Sequence, residues 1–139
     1  EQQDEFLRET DVLAVLLPLT PQTRGMINGE LLGKLSRQGR HDRMPGPVLI
    51  NAGRGELQRE GDILAALDDG SLYAASLDVF ETEPLPAESR LWRHPRVTIT
   101  PHIAAESTVE AIAKYFLSHV RRVEAGEAPQ NVVDPSLGY

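Results

Sequence analysis

Asp11-Val12-Leu13-Ala14-Val15-Leu16-Leu17, cut off by Pro18, is a short and nearly continuous apolar run. A strand of a parallel sheet reads this way when both of its faces are covered. The stretch that follows, Pro18-Leu19-Thr20-Pro21-Gln22-Thr23-Arg24-Gly25, carries two prolines and polar residues, so it leaves the strand's C-terminal end as a loop. Asn28 then caps a helix over about 29–36, with Leu31, Leu32 and Leu35 on one face. Residues 36–47 turn basic and rich in turn formers (Arg37, Gly39, Arg40, His41, Asp42, Arg43, Pro45, Gly46), which predicts an exposed, mobile loop.

The same alternation continues outward. Val48-Leu49-Ile50 runs into Asn51-Ala52-Gly53-Arg54-Gly55. A helix over about 60–69 buries Ile63, Leu64 and Leu67, and Gly70 ends it in the left-handed conformation. A third apolar run, Ala74 to Phe80, breaks at Glu83-Pro84-Leu85-Pro86, and a fourth, Val97-Thr98-Ile99-Thr100, stops at Pro101-His102. Ser107 and Glu110 have capping-box spacing, and Val109, Ile112, Phe116, Val120 and Val123 extend a long amphipathic helix to about Ala125. The tail from Pro129 to Tyr139 lacks periodicity. Strand, loop and helix in alternation predict a parallel α/β sheet with right-handed crossovers. In such sheets ligands gather beyond the C-terminal ends of the strands, where each polar cluster lies.

Composition narrows the functional classes. The 139 residues carry 14 Lys plus Arg against 21 Asp plus Glu, a net charge of −7, with 40% hydrophobic and 25% charged residues and no cysteine. The acidic balance argues against nonspecific nucleic-acid binding. No apolar run is long enough for a transmembrane helix, and the acidic Glu1-Gln2-Gln3-Asp4-Glu5 start lacks the pattern of a signal peptide. Without cysteine there is neither a disulfide framework nor a thiolate site, and a cytoplasmic location is expected.

Three consecutive strand ends deliver chemistry-bearing side chains. Arg54 sits between two glycines, where its planar charged fork suits a carboxylate or phosphate; a tight turn with a solvated Arg is the alternative. His102 is the foremost candidate for proton transfer, against the possibility of a structural histidine like His41, His94 or His119. Glu83 could pair with His102 and favour its imidazolium, although a Glu before Pro in a loop is commonly a surface residue. Asp78 lies inside an apolar run, so it requires a partner, either a backbone group or a ligand amide. No metal site is expected, because the four histidines lack ligand spacing and cysteine is absent. A nucleophile elbow and a phosphate-binding loop ending in Lys are missing too.

Taken in order, Leu16-Leu17-Pro18-Leu19-Thr20-Pro21 with Thr23 and Arg24, Asn51-Ala52-Gly53-Arg54-Gly55, Leu77-Asp78-Val79-Phe80 with Glu83-Pro84-Leu85-Pro86, and Thr100-Pro101-His102-Ile103-Ala104-Ala105 resemble the C-terminal half of the D-isomer-specific 2-hydroxyacid dehydrogenases. Within that family the likeness is to the glyoxylate/hydroxypyruvate reductase A group, and it runs from about Asp4 to Tyr139. The resemblance implies the second half of a Rossmann-type doubly wound parallel sheet over residues 1–105. It also implies that residues 106–139, a C-terminal helix and tail, belong to a substrate domain absent from this chain, on which the helix would pack.

The implied reaction is reduction of a 2-oxo acid such as glyoxylate or hydroxypyruvate to the D-2-hydroxy acid by NAD(P)H. NADPH is favoured over NADH by the subgroup likeness alone. Arg54 would hold the substrate carboxylate, His102 would be the acid/base and Glu83 its partner. Leu17, Pro18, Ala52, Gly53, Arg54, Asp78, His102, Ala104 and Ala105 would contact the cofactor, with Asp78 at the nicotinamide carboxamide.

Family members carry a substrate domain and a glycine-rich pyrophosphate turn upstream of the position equivalent to Glu1, and no Gly-x-Gly-x-x-Gly occurs here. The chain is therefore expected to be about half of a homodimeric enzyme, inactive alone, with residues 11–17 as an unpaired sheet edge that invites association. A noncatalytic remnant that keeps the fold for pairing or regulation is the alternative.

Overall fold

The computed structural model describes residues 2–36 and 44–136, in two compact units, Glu1–Ala104 and Ala105–Tyr139. In the first, helix α1 (Gln2–Arg8) precedes strand β1 (Val12–Val15), helix α2 (Gly29–Gly33) and strand β2 (Val48–Asn51). A 3-10 turn (Gly55–Leu57), helix α3 (Glu60–Asp69), strand β3 (Ala74–Leu77), a second 3-10 turn (Arg90–Arg93) and strand β4 (Val97–Ile99) follow. The four strands form one parallel sheet in the order β1-β2-β3-β4. Val15, Asn51 and Leu77 stand side by side, as do Leu77 and Ile99, so the loops that leave these strands start from one line.

In the sheet, burial departs from the sequence reading. The strands are not covered on both faces. Leu13, Val15, Leu49, Asn51, Ala75 and Leu77 are buried, while Val12 and Ala14 are exposed and Val48, Ile50, Ala74 and Ser76 are half-buried. The reason is that the helices of this unit join a single hydrophobic cluster on one face: Leu7 of α1, Leu32 of α2 and Ile63, Ala66 and Leu67 of α3 pack with Leu13, Leu49 and Leu77. Successive strand residues point to opposite faces, so the other row is left largely uncovered. Leu16 and Leu17 lie beyond β1 and are exposed.

Local chemistry accounts for the helix ends. The Asn28 side chain accepts from Leu31 N–H at the start of α2, which is shorter than the predicted span. Gly70 ends α3 at φ 81°, a backbone position that a β-carbon disfavours. Helix α1 carries only Phe6 and Leu7 as large apolar residues, too few for periodicity, yet Asp4 and Glu5 in its first turn and Arg8 in its last match the helix dipole. Of the predicted 36–47 loop, residues 37–43 lie outside the described residues, while Gly46 and Pro47 are buried rather than exposed.

The second unit holds helix α4 (Val109–Glu124). Its N-cap is Thr108, whose hydroxyl accepts from Ala111 N–H, and not the predicted Ser107: the threonine is one residue nearer the first helical turn. Val109, Ile112, Tyr115, Phe116, Leu117 and Val123 are exposed along it. No helix among the described residues is long and apolar enough to cross a membrane.

Candidate active site

The loop after β2 is fixed by its own polar groups. Asn51, fully buried, accepts from Gly53 N–H at 3.1 Å and donates to the Arg54 carbonyl at 3.2 Å. Both bonds close the turn that carries Arg54. The Arg54 side chain is exposed, and its Nη1 donates to the Gly53 carbonyl at 2.8 Å, which folds the guanidinium back over the turn. Gly55 then packs on the Phe80 backbone, and Asp78 N–H donates to the Asn51 carbonyl at 3.0 Å, so the loops after β2 and β3 are joined.

The loops after β3 and β4 are joined by a second set of contacts. His102 Nδ1 lies 2.8 Å from Glu83 Oε2, and Glu83 Oε1 accepts from Phe80 N–H at 3.0 Å. An ionised carboxylate only accepts, so Nδ1 carries the hydrogen and Nε2 is the nitrogen left for a reacting group. Among the described residues no hydrogen bond occupies Nε2. His102 has a left-handed backbone, φ 55°, an uncommon conformation for a residue with a β-carbon. Its N–H donates to the Asp78 carbonyl at 2.8 Å. The Asp78 carboxylate accepts from Thr100 Oγ1, Ile103 N–H and Ala104 N–H. Asp78 therefore holds the strained turn from both ends.

The carboxyl groups of this cluster favour their charged forms. Burial pushes both Asp78 and Glu83 up, but hydrogen bonds outweigh it. For Asp78 these come from Thr100, Ala104 and Ile103, and for Glu83 from His102 and Phe80. The net effect holds both carboxyls below their ordinary values. A cavity of about 230 Å³ lies beside the pair, lined by Glu83 and His102 together with apolar groups that include Phe80, Leu85, Trp92 and Ile99. Such walls screen charge less than water does.

The remaining predicted residues fall around these loops. Leu17 and Pro18 are exposed at the end of β1, and the Leu17 carbonyl lies 3.0 Å from where a β-carbon on Gly53 would be. Ala52 is half-buried and Ala104 exposed; Ala105 opens the second unit. A nicotinamide fits this set. Leu17, Pro18 and Ala52 offer apolar surface, and three bonds to Asp78 leave one of the roughly four acceptor positions of a carboxylate for a carboxamide. Among the described residues no group of three or more His, Asp and Glu side chains could hold a metal ion.

Sequence reasoning did not single out Thr100 or Gln58. The first would have been found by asking what satisfies Asp78. Gln58 has no signal in spacing, because its partners, Asn51 and the Val79 carbonyl, are brought to it by the fold.

A parallel α/β sheet of Rossmann type, with its polar loops at adjoining strand ends, defines a class of nucleotide-binding domains. Within that class, the family described as D-isomer specific 2-hydroxyacid dehydrogenase, NAD binding domain, matches residues 1–104, and the chain belongs to it. Glyoxylate/hydroxypyruvate reductase A of Serratia proteamaculans is 47% identical over the whole chain, which spans 42% of that relative. Among solved structures, an NADPH-dependent glyoxylate/hydroxypyruvate reductase of Sinorhizobium meliloti, in complex with NADP and sulfate, is 52% identical with a TM-score of 0.93, over 99% of this chain and 42% of that one. A probable 2-hydroxyacid dehydrogenase of Rhizobium etli, in complex with NADP, HEPES and L(+)-tartaric acid, is 48% identical with a TM-score of 0.91, over 99% and 43%.

Proposed function

We propose that this chain is the C-terminal portion of an NADPH-dependent reductase that converts small 2-oxo acids, glyoxylate and hydroxypyruvate among them, to D-2-hydroxy acids. The observation that carries this reading is the 2.8 Å His102–Glu83 pair on a loop joined through Asp78 and Phe80 to the one that bears Arg54. Arg54 holds the substrate carboxylate and so aims the carbonyl. NADPH, when bound, supplies the hydride that reaches the carbonyl carbon. His102, protonated and steered by Glu83, gives its Nε2 proton to the carbonyl oxygen, so no alkoxide accumulates. In the reverse direction neutral His102 takes the hydroxyl proton.

Leu17, Pro18, Ala52, Gly53, Arg54, Asp78, His102, Ala104 and Ala105 line the nicotinamide end of the cofactor on this reading. Residues 106–139 belong to the substrate-binding part of the enzyme, which works as a homodimer in the cytoplasm. The absence of cysteine is in keeping with a reducing compartment.

The test is a segment exchange. Residues 1–139 replace the matching part of the Sinorhizobium meliloti reductase, and NADPH oxidation is followed with glyoxylate and with hydroxypyruvate. Turnover that depends on His102 is expected. A folded, NADPH-binding exchange protein without turnover would overturn the assignment.

A further inference from the structure

Gln58 has 0% of its surface exposed, although glutamine is a side chain mostly found in water. Its Oε1 accepts from Asn51 Nδ2 at 2.8 Å and its Nε2 donates to the Val79 carbonyl at 3.1 Å. Asn51, also 0% exposed, uses the same Nδ2 to hold the Arg54 carbonyl and its Oδ1 to hold Gly53 N–H. The two amides thus form one closed network around the turn. It is anchored on the segment after β3 and reaches the backbone of the proposed carboxylate-binding residue.

Stability alone does not require this arrangement. Fully buried polar groups return little net stability compared with well-packed apolar side chains of similar volume. What a satisfied amide pair adds is direction, because each bond is made in only one geometry. Here that geometry sets where the Arg54 backbone lies relative to the Val79 carbonyl, one residue beyond Asp78 and hence close in sequence to the groups that hold the His102 turn. Apolar packing has no such directional requirement.

We propose that Gln58 is a positioning residue for Arg54: through the Asn51 amide and the Val79 carbonyl it sets the place from which the guanidinium meets a substrate carboxylate. The proposal rests on the reading of Arg54 as the carboxylate-binding residue. Gln58 itself touches neither substrate nor cofactor.

Gln58→Met keeps the length and volume of the side chain and removes its bonds to Asn51 and the Val79 carbonyl, together with its contact with the Glu60 carboxylate. In the segment-exchange reductase it should raise KM for glyoxylate roughly tenfold or more, and by clearly more than it raises KM for NADPH. In an Arg54→Ala background the same substitution should add almost nothing, because the two residues act through one contact. Gln58→Glu is the second variant and covers poor folding of the first. Its protonated carboxyl reproduces one acceptor and one donor, with Glu60, itself paired with Glu81, as the acidic group beside it; relative to the parent protein at each pH, glyoxylate affinity should be kept at low pH and fall as the group ionises. An unchanged KM for glyoxylate in both variants, an equal rise in both KM values, or full additivity with Arg54→Ala would overturn the proposal. If Arg54→Ala leaves KM for glyoxylate unchanged, the role of Arg54 itself fails, which is a different result from a silent Gln58 beside a sensitive Arg54.

Discussion

Gly55 lies so close to Phe80 that a β-carbon on it would stand 1.8 Å from the Phe80 carbonyl oxygen. The neighbouring backbone cannot yield cheaply, since Phe80 N–H is held by Glu83 and the adjoining Val79 carbonyl by Gln58. This contact sets the distance between the Arg54 loop and the loop of Glu83. Gly55→Ala should therefore destabilise the chain by about 3 kcal/mol or more, at the upper end of overpacking effects. Urea unfolding followed by circular dichroism measures it, and a loss below about 1 kcal/mol would mean the two loops are not locked.

Acid should weaken the same region. Asp78 and Glu83 have native carboxyls held below their ordinary values of 3.8 and 4.5. A group depressed in the native state adds stability that is whole above its unfolded value and is lost as pH falls through the native one. The melting temperature should thus hold at neutral pH and drop on acidification below the ordinary carboxylate range. Asp78→Asn should start from a lower melting temperature, because its amide NH₂ faces donors, and lose less of it in acid. Parallel melting curves for the two proteins would refute the assignment.

The role given to His102 predicts a split between kinetic constants. In the segment-exchange reductase, His102→Ala should lower kcat by about 10²–10⁴-fold, the range for loss of a general acid, with a smaller change in KM for glyoxylate. Glu83→Gln keeps a hydrogen-bond acceptor for Nδ1 but removes the charge, so its loss should be smaller. Equal effects of His102→Ala on kcat and KM would assign His102 to binding instead of proton transfer.

Among the described residues β1 pairs with β2 alone, and Val12, Leu16 and Leu17 are exposed on or next to it. An open strand edge with apolar neighbours recruits further strands. The 139-residue chain should self-associate in light scattering, and Ala14→Lys, which puts a charge on the exposed row of β1, should suppress this. A stable monomer at high concentration would show that the edge is already protected.

The same chain lacks a Gly-x-Gly-x-x-Gly turn to hold a pyrophosphate. It should not saturate with NADPH in the micromolar range when titrated by cofactor fluorescence, whereas the segment-exchange reductase should. Saturation of the isolated chain would mean that the residues proposed to face the nicotinamide suffice for binding.

Part of the architecture was open to reading because local rules write it. Pro18 after an apolar run, Asn28 before a helix, Gly70 after one and the Ile63-Leu64-Leu67 spacing each encode a boundary through backbone sterics or capping, and parallel order follows from alternation. Arg54, Glu83 and His102 stood out as candidates because each sits past a strand end, where a parallel sheet exposes its loops. What an apolar run cannot say is how many of its faces are covered. Val12-Leu13-Ala14-Val15 reads as buried throughout, and the row it leaves exposed reflects where helices α1 to α3 pack, which is a property of the assembled layers.

The sequence by itself determined the strands, their parallel sense and the residue types at the strand ends, because these follow from periodicity and turn chemistry over a few neighbouring positions. Only the tertiary structure decided how those residues work together. The left-handed backbone of His102, the three bonds onto Asp78, the contact of Gly55 with Phe80 and the burial of Gln58 against Asn51 join positions up to 26 residues apart. A hydrogen bond or a steric contact acts over about 3 Å of space whatever the separation along the chain, so such relationships come into being only when the strands are laid side by side.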